Sequence, residues 1–290
     1  MFKILKNKAF AFVLSVLVMA LGVVVAPSFT NNAQAAAASE KTVYVDVEKN
    51  VLGESPLIKP VKVTLDDSKT ILDATKQADP NIGIDATTGQ YAYIKAFQDN
   101  SDNQADFQAN YPSKFYDKLD TVTKGVIFKN DILHQPIITD TGWLREKECD
   151  GVSGWTFTVN DSQTYGSNGT YYTAATALSN VPDNAVIRWE FSAAMGADLG
   201  IANSAYLPTE VTDDGYYNWD TSVYVAPLFE RVSKSDLIRD MANYENKNDE
   251  NYKAALTTLQ TLQATQDQVD EAIKGLSPAS TGANMAVSGL

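Results

Sequence analysis

Gly154-Trp155-Thr156-Phe157-Thr158-Val159-Asn160-Asp161, read together with Val181-Pro182-Asp183-Asn184-Ala185-Val186-Ile187-Arg188-Trp189-Glu190-Phe191, decides the fold. Each stretch alternates apolar and polar side chains, the period of a strand with one buried face. Asn160-Asp161 follows the first stretch and Pro182-Asp183-Asn184 precedes the second, and these residue types tolerate tight turns. The aromatic residues at 155, 157, 189 and 191 supply a small sheet with much of its buried area.

Working outward, Val43, Val45 and Val47 alternate with Tyr44, Asp46 and Glu48, and Val61, Val63 and Leu65 repeat the pattern after Pro60. Both read as strands. Asp66-Asp67-Ser68 reads as a turn and helix cap. Ile71, Leu72, Ala74, Thr75 and Ala78 then follow at helical spacing, ended by Asp79-Pro80. Tyr91 to Phe97 is expected as another strand. The polar stretch 98–147 reads as an insertion with some short helix and a strand at Gly125-Val126-Ile127-Phe128. Gly196 to Asp220 reads as a loop and Tyr224 to Phe229 as an edge element. Beyond Ser233 the period changes: Lys234 to Tyr244, Glu250 to Leu262 and Gln266 to Leu276 read as helices, with Thr265 capping the third. Residues 277–290 are small and polar, the composition of a disordered tail.

The N-terminus points to the compartment. Lys3, Lys6 and Lys8 precede an apolar run from Ala9 to Val25, and Ala33-Gln34-Ala35 is a small-x-small cleavage site. Residues 1–35 are therefore expected to be a secretory signal peptide, leaving an extracellular or wall-associated chain with no membrane segment. The signal carries three lysines and no acid, so 20 basic residues remain against 36 acidic ones. That balance argues against nucleic acid and anionic lipid as partners. Cys149 is the single cysteine, so no internal disulfide forms and the core alone must hold the domain.

Taken together, the two early strands, Ser68-Lys69-Thr70-Ile71-Leu72-Asp73-Ala74, Gly154 to Asn160 and Ile187 to Ser192 resemble a family of bacterial surface domains similar to the C-terminal β-domain of transcobalamin and intrinsic factor. Gly196-Ala197-Asp198-Leu199-Gly200 resembles the tail of that family. The resemblance covers about Thr42 to Gly200 without the insertion. It implies an α+β fold: a β-grasp-like mixed sheet crossed by one helix. It also implies a ligand of corrinoid type. Asp161 and Asn184 stand where the family has Gly and Asp, and 162–178 lengthens the last connection. Ala264 to Ala272 resembles the small helical repeats of Gram-positive cell-wall proteins. The expected organisation is a signal peptide at 1–35, a β-grasp-like domain at 42–230, a helical module at 234–276 and a tail at 277–290.

Candidate sites divide into bland and functional readings. Trp155 and Trp189 either pack the core, with Asn160 as the turn of the motif, or form a wall of a groove. Tyr165, Tyr171 and Tyr172 sit in one loop with Gly166 and Gly169, and Tyr217 and Trp219 sit in another. These rings either seal the sheet edge or stack on a flat ligand or sugar. His134 and Cys149 lack a third orienting group for nucleophilic catalysis, and a lone His134 reads as a polar surface or capping residue ahead of an axial ligand to a corrinoid cobalt. Asp99, Asp102 and Asp106 lack the Gly and terminal Glu of a calcium loop and read as a solvated acidic stretch. No nucleophile, metal or phosphate-loop motif is present. The expected function is thus a secreted, monomeric, non-catalytic binding module for a small flat ligand, with no resident cofactor or metal. A structural or adhesive module for glycan or protein is the alternative, and an unrecognised hydrolase the third reading.

Overall fold

The structure, a computed structural model, describes residues 39–115, 118, 141–163, 171–201, 203–207, 210–211, 217–218 and 221–277, with the backbone alone at 163 and between 203 and 225. The fold is α+β. Strands β1 (Glu40–Glu48) and β2 (Ile58–Asp66) form an antiparallel hairpin, and helix α1 (Ile71–Ala78) follows. Three short strands, β3 (Ile84–Ala86), β4 (Ile94–Gln98) and β5 (Trp143–Arg145), make a separate antiparallel sheet, with α2 (Asn103–Asn110) between the last two. Strands β6 (Gly154–Val159), β7 (Ser162–Gln163) and β8 (Ala185–Ser192) complete the main sheet in the order β2-β1-β8-β6-β7. Strand β8 runs parallel to β1 and antiparallel to β6. A hairpin, a helix across one face and a last strand parallel to the first make a β-grasp-like arrangement.

The sequence alternation assigns the faces. Val43, Val45, Val47, Phe157, Val159, Ala185, Ile187 and Trp189 share one buried cluster with Ile71 and Ala74 of α1. Full burial of one such large apolar side chain contributes about 1.5–3 kcal/mol. Thr70, not the 66–68 turn, caps α1: its hydroxyl accepts from Asp73 N, and its own N–H donates to the Asp73 carboxylate. The strand expected from Tyr91 starts at Ile94. Residues 91–93 instead remain outside regular structure, which leaves Tyr91 and Tyr93 facing out.

The expected loop at 196–220 contains strands. Strand β9 (Asn203–Leu207) pairs with β12 (Thr221–Val225), and β10 (Glu210–Val211) with β11 (Tyr217–Asn218). The Tyr and Asn richness of this stretch hid a hairpin pattern. The strand expected at Gly125 to Phe128 lies outside the described residues, as do residues 1–38 and the expected tail beyond Ser277.

Helices α3 (Ser235–Asn243), α4 (Glu250–Gln260) and α5 (Gln266–Leu276) form at the expected places, and Thr265 caps α5 in a reciprocal capping box. They lie on the sheet: Tyr44 of β1 and Val186 of β8 share a buried cluster with Leu237, Ile238, Met241, Tyr252 and Leu259. The described residues from 39 to 277 belong to one compact unit.

Candidate functional site

The hairpin that carries the motif fixes one edge of the main sheet. Asn160 and Asp161 have φ of 52° and 58°, a conformation that Asn and Asp tolerate better than most side chains. Asn160 Oδ1 accepts from Val186 N at 2.9 Å, locking the turn onto β8. Trp155, Phe157 and Val159 then face Phe191, Trp189 and Ile187 across the ladder. Trp189 is fully buried, its indole N–H donating to Thr75 Oγ1 at 2.9 Å. Trp155 is half-buried and donates to Leu144 O at 2.9 Å. Phe97 meets Trp155 edge-on at 4.6 Å between ring centroids, and Phe157 lies 4.4 Å from Trp189. The two tryptophans thus serve both readings: they pack the core, and they floor a groove.

That groove is a cleft of about 310 Å³ bounded by Trp155, Phe157, Trp189, Tyr91, Tyr93, Tyr171 and Tyr172. Tyr91, Tyr93 and Tyr171 are the large apolar side chains most open to solvent among the described residues, at 66%, 45% and 48% exposure. All three border this one cleft. Two hydrogen bonds hold them: Ala174 N donates to Ala92 O at 3.0 Å, and the Thr173 hydroxyl donates to Gln90 O at 2.9 Å. Thr87 braces the other side, its hydroxyl accepting from Tyr93 N at 2.9 Å. The cleft adjoins a polar hollow of about 250 Å³ that shares Tyr93, Trp155 and Thr156 and adds Glu146, Lys147, Ser153 and Ser192. Partial burial and the Glu146 carboxylate raise the Tyr93 phenol above its ordinary pKa, so it stays neutral through the physiological range.

Of the residues singled out from sequence, Tyr171 and Tyr172 meet in this cleft with Trp155 and Trp189. Tyr165, Trp219 and His134 lie outside the described residues, and Tyr217 is placed by its backbone alone, in β11. Tyr91 and Tyr93 were missed as site residues. Their Tyr-Ala-Tyr spacing next to an apolar run read as the start of a strand, and only the loop between Thr87 and Ile94 turns them to solvent. Cys149 is buried and its thiol pushed up by desolvation, with Asp150, Glu148 and Asp198 adding to the rise. The acidic stretch differs from its expectation. Asp99 is buried and paired with Lys49 at 2.7 Å, while Asp102 caps α2 through Ala105 N. Among the described residues no cluster of His, Cys, Asp or Glu could hold a metal, and no helix is long and apolar enough to cross a membrane.

Asp161 does more than turn the chain. Its carboxylate accepts from Ser233 Oγ at 2.8 Å, Lys234 N at 3.0 Å and Ser235 N at 2.9 Å, capping α3 from another element. Arg188 and Arg231 flank it at 3.4 and 3.3 Å. Burial opposes ionisation, yet these cations and hydroxyls hold Asp161 far below the usual carboxylate range. Arg188 is the hub of the buried network beneath the helices. It reaches both oxygens of Glu48 at 2.6 and 2.9 Å and Glu190 at 3.1 Å, and Arg231 binds Glu190 at 2.7 Å.

No family model, no curated protein and no solved structure matches this chain.

Proposed function

We propose that the chain is a secreted or wall-associated binding module that holds a small flat or ring-shaped ligand by stacking in the aromatic cleft, without chemical turnover. The observation that supports this reading is the convergence of Tyr91, Tyr93 and Tyr171 on one concave surface floored by Trp155, Phe157 and Trp189. Exposed aromatic rings collected in a cleft are the usual means of gripping apolar faces of rings. The resemblance to the transcobalamin-type β-domain makes a corrinoid the first ligand to try. The same rings suit the faces of sugars, so a wall glycan is the second. The proposed assignment is non-enzymatic: among the described residues, the cleft is lined chiefly by aromatic rings with two threonines.

Trp155 and Trp189 line the cleft and report on it. Titration of the mature chain with cobinamide, cobalamin and soluble wall oligosaccharides should quench tryptophan fluorescence saturably for one ligand class, which is recovered unchanged. Tyr93→Ala should weaken that binding about three- to tenfold, the loss of one stacking contact of about 0.5–1.5 kcal/mol. A flat titration with both classes, or equal affinity in a Tyr93→Ala, Tyr171→Ala double variant, removes the cleft as the site.

A further inference from the structure

Where β1 ends under the helices, a lysine, a carboxamide and a carboxylate meet away from water. Lys234 is 3% exposed and Asn50 7%. The Lys234 amine donates to Leu259 O and Thr261 O, both at 2.7 Å. Asn50 Nδ2 donates to the same Leu259 O at 3.2 Å. Sharing one acceptor oxygen places the lysine Nζ and the carboxamide nitrogen within two hydrogen-bond lengths of each other. Asn50 Nδ2 also donates to Glu48 Oε2. Asn50 Oδ1 is buried and has no partner among the described residues.

A capping role explains part of this arrangement. Lysine at the end of α4 satisfies carbonyls that the helix leaves open. Capping does not require burial of the amine, which costs several kcal/mol if it stays charged. Nor does it require a carboxamide beside it with one oxygen left unbonded.

We propose that Lys234 and Asn50 are the two halves of a self-formed amide cross-link. The lone pair of Lys234 Nζ attacks Asn50 Cγ, a new C–N bond forms, the Cγ–Nδ2 bond breaks, and ammonia leaves. One proton passes from the attacking nitrogen to the departing one. Glu48 is placed to carry it, because its Oε2 already touches Nδ2 and the Arg188 pair keeps it ionised as a base. The overall change is amine plus amide giving a substituted amide plus ammonia, so no oxidant, metal or co-reactant enters. Burial, with Arg188 second, lowers the Lys234 amine to about 7, which makes the neutral nucleophile available at neutral pH. Asp46, buried beside Glu48, has neither oxygen accepting a hydrogen bond. Desolvation first, then Glu48, pushes its carboxyl well above the usual range. The link would tie the end of β1 to the start of α3 and close a ring through most of the chain. In a chain whose single cysteine rules out an internal disulfide, that is the covalent staple open to it.

The test is the intact mass of the full mature chain, with its N-terminus read by sequencing. The proposal expects a mass lower than the sequence by one ammonia, and a digest that yields a branched peptide joining Asn50 to Lys234. Lys234→Arg, which keeps the charge and most of the stem, should return the sequence mass and lose the branched peptide, as should Asn50→Ala. A folded wild-type chain at its sequence mass overturns the proposal. So does an ammonia deficit without the branched peptide, since an imide or a cyclised terminus gives the same mass. If a variant fails to fold, the wild-type mass and digest still decide.

Discussion

Arg188 and Trp189 are neighbours in β8 and belong to opposite kinds of interior. Trp189 looks into the apolar face, against Phe157, Phe97 and the Thr75 hydroxyl of α1. Arg188 looks into the other face, where Glu48, Glu190 and Asp161 surround it beneath α3–α5. In a two-layer fold the polar half of an alternating strand faces water. Here a helical layer covers it, and every residue of β8 is buried. The first face gains stability from area removed from water. The second gains little net energy from its ion pairs, because desolvation offsets their attraction, but it gains a defined seat for the helices.

Two substitutions at adjacent positions break that comparison if it is false. Trp189→Ala removes buried area and leaves a cavity, at a cost of about 3–5 kcal/mol. Arg188→Met is of similar size, about 3–5 kcal/mol, for the opposite reason: it strands Glu48, Glu190 and Asp161 without their central cation. The two differ in rescue. Adding Glu48→Leu should recover part of the Arg188→Met loss and none of the Trp189→Ala loss, as read by urea denaturation. An Arg188→Met protein within about 0.5 kcal/mol of wild type would mean that the network carries no structural role.

The buried carboxyls also differ among themselves in their response to pH. Near the apolar cluster of Tyr111, Phe115 and Phe191, burial pushes Asp198 from its ordinary 3.8 up to about 6, against the pull of Ser192, Ala193 N and Tyr111. Asp46 and Asp150 are raised for the same first reason. A carboxyl raised on folding holds its proton better in the native chain. Its contribution is full at low pH and is lost as pH climbs through the window from about 4 to about 6. For Asp198 alone that is on the order of 3 kcal/mol. Glu48 works the other way: lowered from 4.5 to about 2, its contribution is present above 4.5 and lost on acidification below that. The melting temperature should therefore peak near pH 4–5 and fall by several degrees toward pH 7. Lys234, lowered from 10.5 to about 7, reverses the slope above neutrality, and that limb disappears where the amine is tied up in an amide. A melting temperature that is flat or rising between pH 4.5 and 7 contradicts the buried-acid assignments.

The apolar face was legible in the sequence because alternation, turn residues and aromatic content agreed on it. Val43, Val45 and Val47 face the same way as Phe157 and Trp189, as their spacing predicts. The ionic face was not, because period 2 says that Tyr44, Asp46 and Glu48 share a side but not that helices some 190 residues on will cover it. Asp161 shows the limit. As a turn residue it was readable from its type, whereas its cap on α3 depends on tertiary placement of 233–235. The cleft was half legible. Tyr171 and Tyr172 stood out beside glycines, but Tyr91 and Tyr93 looked like strand residues until the loop from Thr87 was seen to turn them outward.

The smallest effects should come from the rim of the cleft, and they sharpen the comparison by giving it a third term. Tyr91 and Tyr171 leave about half or more of their surface in water, so truncation forfeits little burial. Tyr91→Ala and Tyr171→Ala should each change stability by no more than about 0.5 kcal/mol, the usual range for surface positions. Trp155→Ala should fall between these and Trp189→Ala, since its ring is half-buried and its indole N–H holds Leu144 O. Thermal melts of the four variants give the ordering directly. If Tyr171→Ala melts as low as Trp155→Ala, its ring seals the sheet instead of lining an open cleft, and it drops out of the ligand surface. If the rim variants keep the wild-type melt, any affinity they lose belongs to contacts with ligand and not to the fold.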